Sequence, residues 1–347
     1  MALPVSGKIS FSQINTELGL LANSKRNLAQ ATTRTLFGVS TGKILMSNGR
    51  GKANQFAFTI ASNHKYANLR ELALDAGWNE SVKVIATVAA DVYLYSDNNT
   101  KAALTINGSF PNGVELVNNG FIMGAGGAGG GFLLAGDPGG TAISLGVNAT
   151  ITNNNVLACI AGGGGGGGGG AYSGGGGGAG GGSGGHPQDW PAGYAGAGGL
   201  GGGPGLPGSN GTAGYFGIYN NVAGGGGGGG RVGKVVNAGG FVFNIASALG
   251  GAGGGSLISN AGGKGGQAGG GGGGSDYPAS GGPGGNSNAG GANGAYPSAG
   301  GGAGWGAVGG SAPFGSVPGG TGGKAIALNG FTATVNAPVG VIYGIVS

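Results

Sequence analysis

Residues 162–170 read GGGGGGGGG, and shorter glycine runs recur at 174–178, 224–230 and 269–274. Of the chain's 98 glycines, 85 lie between residues 121 and 323, about 42% of that segment. Such a composition first suggests a flexible linker, because glycine loses the most backbone entropy on ordering and has no side chain to bury. Three features argue for order instead. The runs are relieved mainly by Ala rather than by the Ser, Gln and charge of flexible linkers. Their lengths are comparable. The last run leads into an apolar, β-branched tail, Val335 to Val346. An ordered solution exists in the polyproline-II conformation, with three residues per turn and roughly 3.1 Å per residue, so that a nine-residue run would be about 28 Å long. Lacking Cβ atoms, such helices can pack closely enough to satisfy one another's backbone N–H and C=O groups. Collagen is excluded: there is no G-X-Y period and only 13 Pro. The expected fold is mostly irregular and β, a bundle of polyglycine type II helices anchored by short β-strands, with a small α+β N-terminal region.

Composition narrows the function classes. Only 7% of the residues are charged, and residues 121–323 hold just Asp137, Asp189, Asp276, Arg231, Lys234 and Lys264. The net charge of +5 is more than accounted for by residues 1–60, where seven basic residues face Glu17 alone. Nucleic-acid binding is not expected, since no dense basic face or recognisable module accompanies this charge. The single cysteine, Cys159, lies in the apolar stretch Val156-Leu-Ala-Cys-Ile160 and reads as a small buried hydrophobe. The opening residues lack the features of a signal peptide, and no apolar run is long enough for a transmembrane helix.

Four regions follow from the patterning. Residues 1–52 form a small module in which Ser10-Phe-Ser-Gln13 has capping-box spacing for a helix ending at Gly19, and Leu36 to Met46 supply a second apolar set. Residues 53–123 form a small α/β or β domain, with a helix over Tyr66–Ala76 ended by Gly77, strands over 81–89 and 92–95, and a turn at 97–100. Residues 124–323 carry the glycine bundle, and 324–347 a closing β segment. An internal echo links them: Ala103-Leu-Thr-Ile-Asn-Gly108, Ala142-Ile-Ser-Leu-Gly146 and Ala325-Ile-Ala-Leu-Asn-Gly330 are each followed by an apolar β-like stretch. Each reads as a β unit paired with the others, anchoring the glycine helices at one end.

No catalytic residue, metal site or cofactor is expected. Glycine runs match G-x-G-x-x-G trivially, and no Gly-Lys pair is followed by the hydroxyl of a phosphate-binding loop. His64 and His186 stand far apart, and the His186–Asp189 pair has no nucleophile beside it. The segments between runs are more informative. They hold Trp190, Tyr194, Tyr215, Tyr219, Tyr277, Tyr296 and Trp305 among Asn, Ser and Gly, the composition of adaptable binding loops. The alternative for these aromatics is that they cap the bundle ends or fill gaps.

The repeated runs, the aromatic loops and the ending Val339-Gly-Val-Ile-Tyr-Gly-Ile-Val-Ser347 resemble the adhesins at the tips of long tail fibres in T-even-like bacteriophages and related glycine-rich virion proteins. Ala2-Leu-Pro-Val-Ser-Gly-Lys-Ile-Ser-Phe-Ser-Gln-Ile-Asn15 is similar to the start of many phage virion proteins. Asn68–Ala73, Ala76-Gly-Trp78 and Asn107–Gly113 also resemble glycine-rich tail proteins. The resemblance implies a layered sandwich of glycine helices and an N-terminal part attached to another phage tail or fibre protein. It further implies a place in the virion and loops that recognise a bacterial outer-membrane protein or surface glycan. The short opening module departs from the T-even pattern. The competing expectation is a minor tail or decoration protein in which the bundle is a spacer; ice binding on flat glycine faces is a third reading.

Overall fold

A computed structural model describes residues 3–52, 54–170, 173–186, 193–194, 197–204, 206, 208–212, 215–216, 226–229, 235–236, 242–243, 269–273, 281–285, 289–296 and 298–347. It is mostly non-helical, and its principal strands are parallel. Gln55–Ile60, Lys83–Val88, Val114–Asn118, Ala149–Asn153 and Ala333–Asn336 form one sheet in chain order. His64–Lys65, Tyr93–Tyr95, Phe121–Met123, Cys159–Ala161 and Val341–Tyr343 form a second. Ala67–Asn68, Leu104–Ile106, Ile143–Leu145 and Ile326–Ala327 form the third. The chain visits the three sheets in turn and then starts the next pass, so it winds as a three-sided parallel coil.

Alternation builds this coil. In Lys83–Val88, the residues Val84, Ala86 and Val88 are buried while their neighbours face outward; Leu116 and Ile151 supply inward positions of the same sheet on later passes, and Ile106, Ile143 and Ile326 those of the third sheet. Outward positions pair across strands, as in Lys83 Nζ to Glu115 Oε2 at 2.7 Å. At the corner between the first and second sheets, Asn118 and Asn153 stack on successive passes. The Asn118 amide donates to Asn153 Oδ1 at 2.8 Å and to the carbonyls of Gly120 and Cys159, while its Oδ1 accepts from the Gly120 N–H. Helix α3, by its place in the chain, spans Leu69–Asp75. It begins three residues later than its periodicity suggests, because Tyr66 sits at φ 55° and Ala67–Asn68 joins the third sheet, leaving Asn68 to cap the helix. The echoed stretches at 103–108, 142–146 and 325–330 all contribute strands to this third sheet.

Residues 3–52 fold beside the first pass. Helix α1 (Phe11–Glu17) has Ser10 as its N-cap with both hydrogen bonds of the capping box to Gln13, and α2 (Ala31–Phe37) ends on left-handed Gly38. Leu3, Ile9, Ile14, Leu36 and Phe37 form their core. The Asn54 N–H donates to Glu17 Oε1 at 2.9 Å, joining the module to the coil.

The glycine-rich chain is inserted at the corner between the second and third sheets. On the third pass residues 124–142 intervene there, and on the fourth residues 162–325. Within the insertion, backbone partners repeat every third residue. Gly163, Gly166 and Gly169 donate to Gly140, Asp137 and Leu134; Gly164, Gly167 and Gly170 donate to Ala179, Gly176 and Ser173; Gly165 and Gly168 donate to Ala307 and Gly310. The carbonyls follow suit, with Gly164 and Gly167 accepting from Gly127 and Gly130, Gly163 and Gly166 from Gly323 and Gly320, and Gly162, Gly165 and Gly168 from Gly306, Ala303 and Gly300. These bonds measure 2.7 to 3.0 Å. The run 162–170 is therefore enclosed by neighbouring chain whose backbone stands where side chains would otherwise be. A Cβ on Gly166 would lie closer than 3.0 Å to Ala128 O and Gly129 N.

Candidate functional site

The hydrogen-bond registers give the insertion two ends. Gly162 is bonded to Tyr343 O of the second sheet at 2.9 Å, so the run starts at the coil. It reaches its far end at Gly170, where an antiparallel bridge to Ser173 reverses the chain, and 174–179 returns until Ala179 lies beside Gly164. The same registers carry later segments out and back. Gly185 meets Gly175 and Gly226 meets Gly185; Gly273 meets Gly174, and Ala299 meets Gly273. The described residues on either side of 187–192, 213–214, 217–225 and 274–280 thus lie on or lead to the end remote from the coil.

This remote end contains an aromatic surface. Tyr296 is 64% exposed, and its ring lies 5.5 Å from that of Phe314 at an interplanar angle of 53°. Phe314 is carried by a tight turn in which Ala312 and Val317 exchange both backbone hydrogen bonds, at 2.9 and 3.0 Å. The turn needs two left-handed residues, Gly315 at φ 75° and Ser316 at φ 54°. Leu133, itself at φ 50°, approaches this turn, and Leu134 beside it is 63% exposed. Phe314 and Leu133–Leu134 are absent from the candidates read from sequence; the signal available for the leucines was the bulky triplet Phe132-Leu133-Leu134 interrupting glycine-rich chain.

The candidate aromatics fare differently. Tyr194 and Tyr215 are brought together as backbone partners in a short antiparallel pair, Gly193–Tyr194 with Tyr215–Phe216. Tyr296 is at the remote surface. Trp190, Tyr219 and Tyr277 lie outside the described residues. Trp305 does not behave as a surface residue: it is fully buried at the coil end, packed with Phe121, Met123, Cys159, Ala161 and Ala179. Its ring has no exposed area to offer a partner, and the sequence concealed this because successive turns alternate between the two ends.

Among the described residues, no group of three or more His, Cys, Asp and Glu is arranged to hold a metal, and no helix is long and apolar enough to cross a membrane. Burial pushes the Cys159 thiol up to about 12, so it stays protonated and unreactive. Burial also raises the Tyr343 hydroxyl, with nearby Cys159 adding to the shift. His186 ends its tract at the remote end, whereas Asp189 lies outside the described residues.

The sequence profile of the phage tail fibre adhesin Gp38 family matches residues 55–240, more than half of the chain. The chain belongs to this adhesin family. The match starts with the first strand of the coil and continues into the glycine-rich insertion. As a tail fibre adhesin, the protein belongs to the tail of a bacteriophage virion. The crystal structure of the gp37–gp38 adhesin tip complex of the bacteriophage S16 long tail fibre is similar over 99% of this adhesin and 100% of that chain, with 18% identity and a TM-score of 0.44. No curated protein matches.

Proposed function

We propose that this tail fibre adhesin recognises its host by displaying aromatic loops at the remote end of a rigid glycine scaffold, with no catalytic step. In this reading the glycine tracts are polyglycine type II helices packed in layers. The three-residue repeat of their backbone partners supports it, being the period of that helix. Residues 124–142 and 162–325 form the scaffold, the coil of residues 55–123, 143–161 and 326–347 its base, and residues 1–52 the attachment to another tail or fibre protein. Trp190, Tyr194, Tyr215, Tyr219, Tyr277 and Tyr296, joined by Phe314, contact a bacterial outer-membrane protein or surface glycan. Trp305 instead secures the scaffold to its base.

The observation that carries this reading is the exposed Tyr296 ring, set against the half-buried Phe314, at the end remote from the coil. A large ring left in water is costly in a purely structural element and useful in a contact surface. A scaffold ordered before contact also loses less entropy on binding. The test is binding of purified protein to susceptible cells, comparing wild type with Tyr296→Ala and with a variant carrying Ala at 190, 194, 277 and 296. Loss of binding with an unchanged circular dichroism melt supports the adhesive role of these loops. Equal binding by both variants removes them from the contact surface, and absence of binding by wild type favours a spacer role in the tail.

A further inference from the structure

The third sheet of the coil carries a second candidate site, far in sequence from the glycine loops. Its outward row runs from Thr105 to Ser144 to Ala327, residues paired directly across adjacent strands. These small side chains form the floor of a trough of about 410 Å³, a volume within the roughly 300–1,000 Å³ usual for small-ligand sites. Tyr66 and Lys101 line it along with Asn329.

Tyr66 and Asn329 hold left-handed backbone conformations, at φ 55° and φ 51°. For an aromatic residue this is an outlier, and such conformations persist where the surroundings enforce them and gather at ligand sites. Tyr66 is held on several sides. Its hydroxyl donates to Asp97, while the ammonium groups of Lys65 and Lys101 lie 5.0 and 4.9 Å from its ring centroid. Asn329 is fixed by its amide, which donates to Ser144 Oγ and Leu145 O, both at 3.0 Å. Lys65 is already paired with Asp97, whereas Lys101 makes no ion pair among the described residues. The trough therefore combines hydroxyl and amide groups in a row, one aromatic wall and one cation without an acidic partner.

We propose that this trough binds an acidic saccharide, a pyranose bearing a carboxylate. The Lys101 ammonium meets the carboxylate, Thr105 and Ser144 exchange hydrogen bonds with ring hydroxyls, and Tyr66 gives the apolar face of the sugar a wall. The site is separate from the aromatic loops and gives the adhesin a weak lateral hold on an anionic glycan, whatever the remote end contacts.

The experiment titrates full-length protein with glucuronic acid and, in parallel, with glucose, following ligand signals by saturation-transfer NMR and affinity by calorimetry. Glucuronic acid is expected to bind at least 10-fold more tightly than glucose. Lys101→Gln is expected to remove that preference, and Ser144→Leu, which fills the floor, to abolish binding of both sugars. Val308→Ala, at an exposed position outside both candidate surfaces, serves as the control and leaves the titration unchanged. Each variant is checked by its thermal melt, and Lys101→Gln, at an exposed position, melts as wild type does. No saturation transfer from glucuronic acid to wild type, equal binding of the two sugars, or an unaltered preference in a folded Lys101→Gln protein overturns the proposal.

Discussion

A single added methyl group is expected to behave very differently at two glycines of the insertion. In Gly166→Ala the new Cβ would lie within 3.0 Å of Ala128 O and Gly129 N, backbone atoms that are themselves hydrogen-bonded on a neighbouring segment. Overpacking of this kind costs about 1–3 kcal/mol. Relief requires the tract to move away from its partners, stretching the bonds from Gly166 N–H to Asp137 O and from Gly320 N–H to Gly166 O, at about 0.5–1.5 kcal/mol each. Set against this, replacing glycine lowers the entropy of the unfolded chain and returns about 0.4–1 kcal/mol. The net loss is on the order of 1–5 kcal/mol. Gly203→Ala is the matched control, since its Cβ would meet only Leu206 Cδ1 at 3.6 Å. It is expected to be neutral or slightly stabilising. Denaturant midpoints and thermal melts followed by circular dichroism read the difference. If the two variants melt together, the glycines of run 162–170 are not required by close backbone approach, and the packing argument fails.

Three further outcomes follow from the coil and its junction. Asn118→Leu deprives the Gly120 N–H and Cys159 carbonyl of buried partners and is expected to cost about 3 kcal/mol or more, read as a lowered denaturation midpoint. Trp305→Ala empties a fully buried site and is expected to cost about 3–5 kcal/mol, again by denaturation. Cys159 should resist iodoacetamide at pH 8 in the native protein and react after unfolding. Because its folded pKa is raised to about 12 from an ordinary 9.0, it contributes stability below pH 9 that is lost as the pH climbs towards 12. Cys159→Ala should therefore reduce the alkaline fall of the melting temperature, leaving the smaller share of Tyr343, whose raised hydroxyl acts in the same direction.

Much of this architecture was legible where local chemistry is strong. The Ser10–Gln13 capping box, Gly19 and Gly77 at the ends of α1 and α3, and the echo among 103–108, 142–146 and 325–330 each have a counterpart in the structure, whereas α2 and its Gly38 were not among the expectations. Closure of the strands into three sheets was not legible. Segments as short as His64–Lys65 and Ala67–Asn68 are too brief to show a period, and their pairing is set by neighbours from another pass. Trp305 misled for a related reason: a turn between glycine runs looks the same at either end, and only the hydrogen-bond register distinguishes them. Phe314 belongs to the aromatic segment 305–318, but its place beside Tyr296 depends on a turn stabilised by Gly315 and Ser316 rather than on any pattern of its own.

The insertion also fixes the order in which the molecule can be assembled. Strands 55–161 pair with near neighbours in the chain and can stack as they leave the ribosome, but the last pass closes only when Val341 O reaches Asn153 Nδ2, a contact between residues 188 positions apart. Pairing across so long a separation is slow, because the loop must be ordered before the bond repays it. The closing strands therefore act as a clasp: they lock onto Ala149–Asn153 and Cys159–Ala161 after the glycine tracts have been synthesised, and an interrupted nascent chain leaves those sheet edges bare.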